Sequence, residues 1–226
     1  MKLLMLVFLV ISSQIVFGQD ENDPTPSALF KAVPQNFIDN TLKIGTEIFN
    51  KSRSKSISIF AYGRFDGNTS NEPIYYGDKL YNGFGGEAQY RKYLSPLKQY
   101  TTRRNKNYLQ GIYVGGYVQG ASYLDKGDRI YTNYDFINRQ QTSAIVTVHE
   151  SIKNWGTGFT IGLQRTLWSV LFIDVYIGGG IQWSDVTRTI TPGNVVNNSN
   201  GYYGWFFAPG YQGIMPKFGV QLGIPL

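Results

Sequence analysis

The chain has 226 residues, no cysteine and a single histidine. Without cysteine there is no disulfide framework, no thiolate metal site and no cysteine for lipid attachment, and no cofactor is predicted. Basic residues exceed acidic ones by six but are scattered along the chain, so nucleic acid is not an expected partner. The 26 glycines, 17 tyrosines and 14 phenylalanines favour β structure with aromatic girdles.

Residues 1–19 have the features of a secretory signal peptide. Lys2 supplies a positive charge, residues 3–10 are apolar, and small or polar residues lead to the cleavage site. The alternative, a transmembrane anchor, needs a longer apolar run. Removal of the signal leaves about 207 residues with a net charge of +5. Residues 20–28 then predict a flexible periplasmic leader, and residues 29–226 a single domain.

Alternation of apolar with polar or small residues predicts eight β-strands in this domain. The first is a weak strand within residues 27–38, interrupted by Pro34. The other seven lie within residues 41–50, 56–65, 83–94, 108–123, 143–167, 170–183 and 215–226. Three long polar connections are predicted, at residues 66–82, 124–142 and 184–213, and they alternate with short turns.

The most regular alternation lies in residues 170–183. Odd positions from Leu171 to Trp183 are mostly apolar, whereas even positions mix polar residues, glycine and aromatics. Fourteen residues are long for a soluble strand, which usually has about five or six. They suit a tilted membrane-spanning strand, which needs about nine to eleven residues in the lipid.

The pattern therefore predicts an all-β fold, an eight-stranded antiparallel transmembrane up-and-down barrel. Long loops on one side and short turns on the other are typical of outer-membrane barrels with both termini in the periplasm. The surroundings would be outer-membrane lipid and lipopolysaccharide, and other outer-membrane or periplasmic proteins are candidate partners. An exported soluble β-sandwich is the alternative, but apolar strand faces of this length are a liability in water.

Five segments, in this order, resemble an uncharacterised family of eight-stranded outer-membrane barrels, similar in architecture to the OmpA transmembrane domain. The resemblance covers roughly residues 29–226, and it implies a fold and a membrane but no catalytic residues. The segments are TLKIGTEI at 41–48, GIYVGGY at 111–117, TGFTIGLQ at 157–164, DVYIGGGI at 174–181 and GIMPKFGVQLG at 213–223.

The polar faces of the strands predict a charged lumen. An eight-stranded barrel is just filled by its side chains, and buried charges must pair. We therefore interpret the lumen as a polar plug that makes the barrel rigid, and a proton or ion path is the alternative. A general diffusion porin is not expected, because porins have many more strands than eight. Tyr113, Tyr117 and Gln164 share these faces. The predicted charged network consists of Lys43, Glu47, Arg64, Glu87, Arg91 and Asp174.

His149 and Ser151 are the only candidate catalytic pair. Their spacing places both side chains on one face of a strand. The pair resembles the His and Ser of PagL-type lipid A deacylases, in which the His activates a serine nucleophile. Such enzymes carry a later Glu that orients the His, whereas the corresponding stretch here offers Gln164. The leading hypothesis is therefore a non-enzymatic structural, binding or accessory barrel, and lipid A hydrolysis is the alternative.

Two further clusters are candidate contact surfaces. An aromatic segment predicts either a girdle at the lipid headgroups or an extracellular contact, and it contains Tyr202, Tyr203, Trp205, Phe206 and Phe207. A basic run reads as a solvated periplasmic turn or a contact for peptidoglycan or protein, and it contains Lys98, Arg103, Arg104 and Lys106. No metal site is predicted.

Overall fold

Eight antiparallel strands form the wall of the molecule. The computed structural model describes residues 27–65, 82–94, 98–99, 109–135, 140–167, 171–191, 194–198 and 210–226. The strands are β1 Ala28–Ala32, β2 Thr41–Phe49, β3 Lys55–Arg64, β4 Asn82–Tyr93, β5 Leu109–Asp135, β6 Gln140–Leu167, β7 Leu171–Thr191 and β8 Gly213–Pro225. Two short strands flank the wall: Lys98–Gln99 pairs with β5 and Asn194–Asn198 pairs with β7.

The sheet is closed. Each strand pairs with the next one along the chain, and β8 returns to pair with β1, with Leu29 opposite Pro225. This confirms the predicted all-β, eight-stranded up-and-down barrel. We call the end with the turn at residues 50–54 the lower end, and the opposite end the upper end. Among the described residues, no helix is long and apolar enough to cross a membrane.

The two faces of the wall have opposite chemistry. Along each strand, successive side chains alternate between the inside and the outside. Large apolar side chains face outward, and Ile177, Phe84 and Phe218 each have more than 60% of their surface exposed. The inside carries the charged and polar residues, of which Arg91, Lys31 and Glu47 are fully buried. This is the reverse of the usual arrangement in a water-soluble domain.

Three expected boundaries were wrong. Residues 124–135 continue β5 and residues 140–142 begin β6, so most of the connection predicted at 124–142 is a strand pair. The connection predicted at 184–213 likewise contains the end of β7 and the strand Asn194–Asn198. In both stretches apolar residues such as Ile130 and Val186 are scattered among polar ones, which hides the alternation. The first strand ends at Ala32, because Pro34 begins a 3-10 helix, Pro34–Asp39.

Inward-facing aromatic rings lie over glycines of the neighbouring strand. Tyr113 is the register partner of Gly162, and a Cβ at Gly162 would overlap the tyrosine ring. The tyrosine ring therefore covers the glycine of the neighbouring strand and fills the space where a side chain is missing. This arrangement is known as aromatic rescue of glycine. The same direct pairing joins Phe60 with Gly45, Tyr62 with Gly85, Tyr123 with Gly83, Tyr117 with Gly158, and Tyr176 with Gly219.

The 3-10 helix closes a seam that the short β1 leaves between β8 and β2. It contacts both strands, and Oε1 of Gln35 accepts a hydrogen bond from the Val220 N–H at 3.4 Å. Residues two apart in a strand direct their N–H groups to the same side, so position 216 faces this seam as well. Pro216 has no N–H and therefore fits at that place, where β1 provides no ladder partner.

Candidate functional site

Four buried charges meet at the lower end of the barrel interior. Lys31 Nζ contacts Glu47 Oε2 at 2.5 Å and Asp174 Oδ2 at 2.9 Å. Arg91 Nη1 contacts Asp174 Oδ2 at 2.6 Å and Glu47 Oε1 at 3.4 Å. Two cations and two anions therefore alternate in a neutral ring, which we call the lower cluster. Its members come from β1, β2, β4 and β7, so three of the four ion pairs join strands that are not neighbours in the barrel.

Neutral side chains complete the lower cluster. Tyr93 and Tyr113 donate to Glu47 and Asp174 at 2.9 and 2.8 Å, respectively. Gln164 Oε1 accepts from Lys31 at 3.0 Å. Charged groups removed from water are tolerated only when their remaining hydrogen-bonding capacity is filled, which these contacts largely achieve for the carboxylates. Apolar residues then cover the network, including Leu29, Phe49 and Phe172.

A second group of charges lies one layer above. Two of its members, Lys43 and Glu87, are four residues from Glu47 and Arg91 on the same strands, β2 and β4. Lys43 and Lys217 both contact a single oxygen, Glu87 Oε2, at 2.5 and 2.8 Å. Gln89 donates to the other oxygen of Glu87. Lys217 also donates to Gln119 Oε1 at 3.2 Å and lies 3.5 Å from the centre of the Tyr117 ring. We call Lys43, Glu87, Lys217, Gln119 and Tyr117 the upper cluster.

The residues predicted to form a charged lumen all lie on inward-facing positions. Lys43 and Glu87 belong to the upper cluster, and Glu47, Arg91 and Asp174 to the lower one. Arg64 is half-buried at the upper end of β3, opposite Gly83, and belongs to neither cluster as defined above.

Sequence reasoning missed two charged members of these clusters, Lys31 and Lys217. Lys31 lies in the stretch that looked like a weak strand, yet it alternates with Phe30 and Ala32 as an inward residue should. Lys217 is four residues from Gln221 on β8, so both side chains face the same side of the strand. This spacing could have predicted that Lys217 faces inward.

His149 and Ser151 lie on the outward face of β6 above Trp155, and nine residues of the strand lie beyond His149. His149 is exposed and Ser151 is half-buried, whereas Glu150 between them points inward. Both carboxylate oxygens of Glu150 accept hydrogen bonds from Arg188 Nη2 at 3.4 Å. Glu150 therefore cannot orient the His149 ring from this position. The carboxylate that a nucleophilic serine mechanism requires is not supplied by this neighbour.

The two candidate contact clusters fall mainly outside the described residues. All five aromatic residues, Tyr202, Tyr203, Trp205, Phe206 and Phe207, lie outside them, as do Arg103, Arg104 and Lys106. Lys98 lies in the short strand Lys98–Gln99, opposite Gln110. Within the part of the chain that the structure describes, no group of three or more His, Cys, Asp or Glu could hold a metal ion.

Comparison with known proteins identifies no relative: no protein-family model, curated protein or solved structure matches the chain. In chemical terms, the interior is an array of ion pairs and hydrogen bonds that joins non-adjacent strands.

Proposed function

We propose that this protein spans the bacterial outer membrane and acts as a non-enzymatic barrel, as a structural, binding or accessory subunit. The observation that carries the proposal is the reversed distribution of polarity, with apolar side chains outside and ion pairs inside. Contiguous exposed apolar surface on this scale is rare on a soluble monomer. In a bilayer the same surface contacts hydrocarbon and the polar groups are kept out of the lipid.

The width of the apolar band on β6 and β7 supports this proposal. Its outward residues are apolar, small or threonine from Leu163 up to Trp155, and Trp155 stacks on Trp183 with ring centres 4.3 Å apart. Exposed charges lie beyond both ends, at Arg165 below and at Lys153 above. Lys153 and Arg165 are twelve positions apart, so at about 3.4 Å per residue and a tilt of about 45° roughly 29 Å separates the two charges along the membrane normal, against about 30 Å for a hydrocarbon core.

The filled interior favours a structural or binding role over transport. Eight strands enclose a space that side chains fill. The lower cluster occupies that space with fully buried charges that contact one another. We expect the purified protein in planar bilayers to show no stepwise conductance of the kind that porins give. Partners are sought by tagged purification from native outer membranes in mild detergent, and stoichiometric co-elution would identify an accessory subunit.

The membrane assignment is tested by extraction and by gel mobility. We expect the native protein to stay with the membrane in alkaline carbonate, and to migrate differently on gels before and after boiling, as folded outer-membrane barrels do. Release by carbonate without detergent, together with unchanged mobility, would contradict the proposal. Those results would favour an exported soluble β-protein.

Lipid A hydrolysis is the competing proposal, and the position of His149 and Ser151 gives it one supporting observation. Both lie on the outward face, beyond the Trp155–Trp183 pair, where a lipid headgroup would be within reach. Mass spectra of lipid A from cells with and without overexpression distinguish the two proposals. We expect an unchanged acylation pattern. Loss of one acyl chain, abolished by Ser151→Ala, would establish the enzyme.

A further inference from the structure

Two lysines face each other on the outer surface at the lower end of the barrel. Lys55 on β3 and Lys92 on β4 are register partners, and both side chains are exposed on the outward face. Side chains at directly opposite positions of an antiparallel pair have their Cβ atoms about 5 Å apart, and like charges there destabilise the pairing. An anion that contacts both ammonium groups would remove this repulsion.

No carboxylate of the described residues compensates this lysine pair. Its outer-face neighbours are uncharged: Ile57 and Tyr90 one step higher on the same two strands, Val114 beside Lys92 on β5, and Leu94. No ion pair or hydrogen bond joins either ammonium group to another residue in the described ranges. The carboxylates of the lower cluster face the interior and are bound there. The counter-charge is therefore expected from outside the described chain.

The upper end of the apolar band has a contrasting arrangement. On the outer face above the Trp155–Trp183 pair, Lys153 lies opposite Asp185 on the neighbouring strand. This pair contains one charge of each sign and is balanced within the protein. The lysine pair at the lower end has no such balance, and it is the better candidate for binding an anion.

The length of β4 places the lysine pair at the depth of lipid headgroups. Lys92 and Asn82 are ten positions apart, so about 24 Å separates them along the membrane normal at about 3.4 Å per residue and a tilt of about 45°. The apolar band of an outer-membrane barrel is about 25 Å tall. Leu94 is exposed below Lys92, so apolar surface lies on both sides of the charge. The outward residues between the two ends are Tyr90, Ala88, Gly86 and Phe84.

We propose that Lys55 and Lys92 bind the phosphate of one anionic glycerophospholipid, whose acyl chains lie along Ile57 and Tyr90. A phosphodiester has two non-bridging oxygens, so it can accept from both ammonium groups at once. A headgroup with a net negative charge is preferred, because the ammonium of a zwitterionic headgroup would add a third positive charge. The inference rests on the proposed membrane location.

Native mass spectrometry of the protein folded in a zwitterionic detergent tests this site. Phosphatidylglycerol and phosphatidylcholine are titrated separately, and we expect one phosphatidylglycerol to bind more tightly than phosphatidylcholine. Each lysine beside an anionic lipid contributes about fivefold in affinity, so Lys55→Gln combined with Lys92→Gln should weaken phosphatidylglycerol binding roughly 30-fold. Glycerol phosphate at the same concentration should not compete, because it lacks the acyl chains.

A matched control and a labelling experiment make the test specific. Lys153→Gln removes an outward lysine of the balanced pair and should leave phosphatidylglycerol binding unchanged. Phosphatidylglycerol with a photoreactive acyl chain should label peptides that contain Ile57 or Tyr90, and the double variant should lose this labelling. The proposal is overturned if the double variant binds phosphatidylglycerol like the unsubstituted protein, or if Lys153→Gln weakens binding equally.

Refolding into vesicles of phosphatidylcholine alone separates this inference from the proposed function. Failure of the unsubstituted protein to fold into these vesicles would contradict both the membrane location and the lipid site. Folding into the vesicles, together with phosphatidylglycerol binding that does not depend on the two lysines, would contradict the lipid site alone.

Discussion

Lys31 contacts both carboxylates of the lower cluster, so its removal tests the cluster as a unit. Lys31→Met would leave Glu47 and Asp174 to share Arg91 as their only cation among the ion pairs described. Loss of one partner of a buried ion pair is strongly destabilising, because the other charge stays buried. We expect the free energy of unfolding to fall by about 3–5 kcal/mol, measured by denaturant titration in detergent.

Two further variants make the Lys31 prediction specific. Lys55→Met removes a lysine that is exposed on the outer face, and it should change the free energy of unfolding little. Lys31→Met combined with Glu47→Gln removes one charge of each sign and should recover part of the loss. A double variant no more stable than Lys31→Met would show that charge balance is not what stabilises the lower cluster.

Because aromatic rings lie over inward-facing glycines, a glycine-to-alanine substitution should destabilise the barrel on its inner face and not on its outer face. Gly162 faces the Tyr113 ring, and a Cβ there would lie 2.6 Å from Tyr113 Cε1. Gly86 faces outward, and the nearest atom to its Cβ would be 3.5 Å away. We expect Gly162→Ala to lower the free energy of unfolding by about 1–3 kcal/mol, the usual cost of overpacking. Gly86→Ala should leave the free energy of unfolding almost unchanged. Equal losses for the two variants would show that packing of the tyrosine ring does not require a glycine opposite it.

At the level of elements, the sequence predicts the strands where they have two chemically different faces. β4 is an example, since Phe84, Ala88 and Tyr90 face out and Glu87, Gln89 and Arg91 face in. The extensions of β5 and β7 beyond the apolar band contain mainly polar residues with a few scattered apolar ones, and pairing with β6 keeps them extended. Periodicity does not reveal such pairing, and this is why residues 124–135 and 184–191 were predicted as loops.

The ion pairs of the interior could not be assigned from the sequence for a geometric reason. Lys43 on β2 contacts Glu87 on β4, so the pair reaches over the intervening strand. Arg91 and Asp174 are separated by 83 positions and meet from β4 and β7. Alternation shows which residues face inward, whereas the partner of each one depends on the closure and stagger of the barrel.

On the scale of the whole molecule, a bilayer makes the cost of an outward charge depend on its depth. Ile177 is 68% exposed near the middle of the apolar band, and Thr187 is exposed above the Trp155–Trp183 pair. For folding into lipid vesicles, Ile177→Arg should cost about 2–4 kcal/mol and Thr187→Arg about 0–1 kcal/mol. In a soluble protein both positions are solvent-exposed, and each change would stay within about 0.5 kcal/mol. Denaturant titrations in vesicles measure the loss of unfolding free energy for each variant. Equal losses for the two arginine variants would contradict the proposal that the apolar outer surface lies in a membrane.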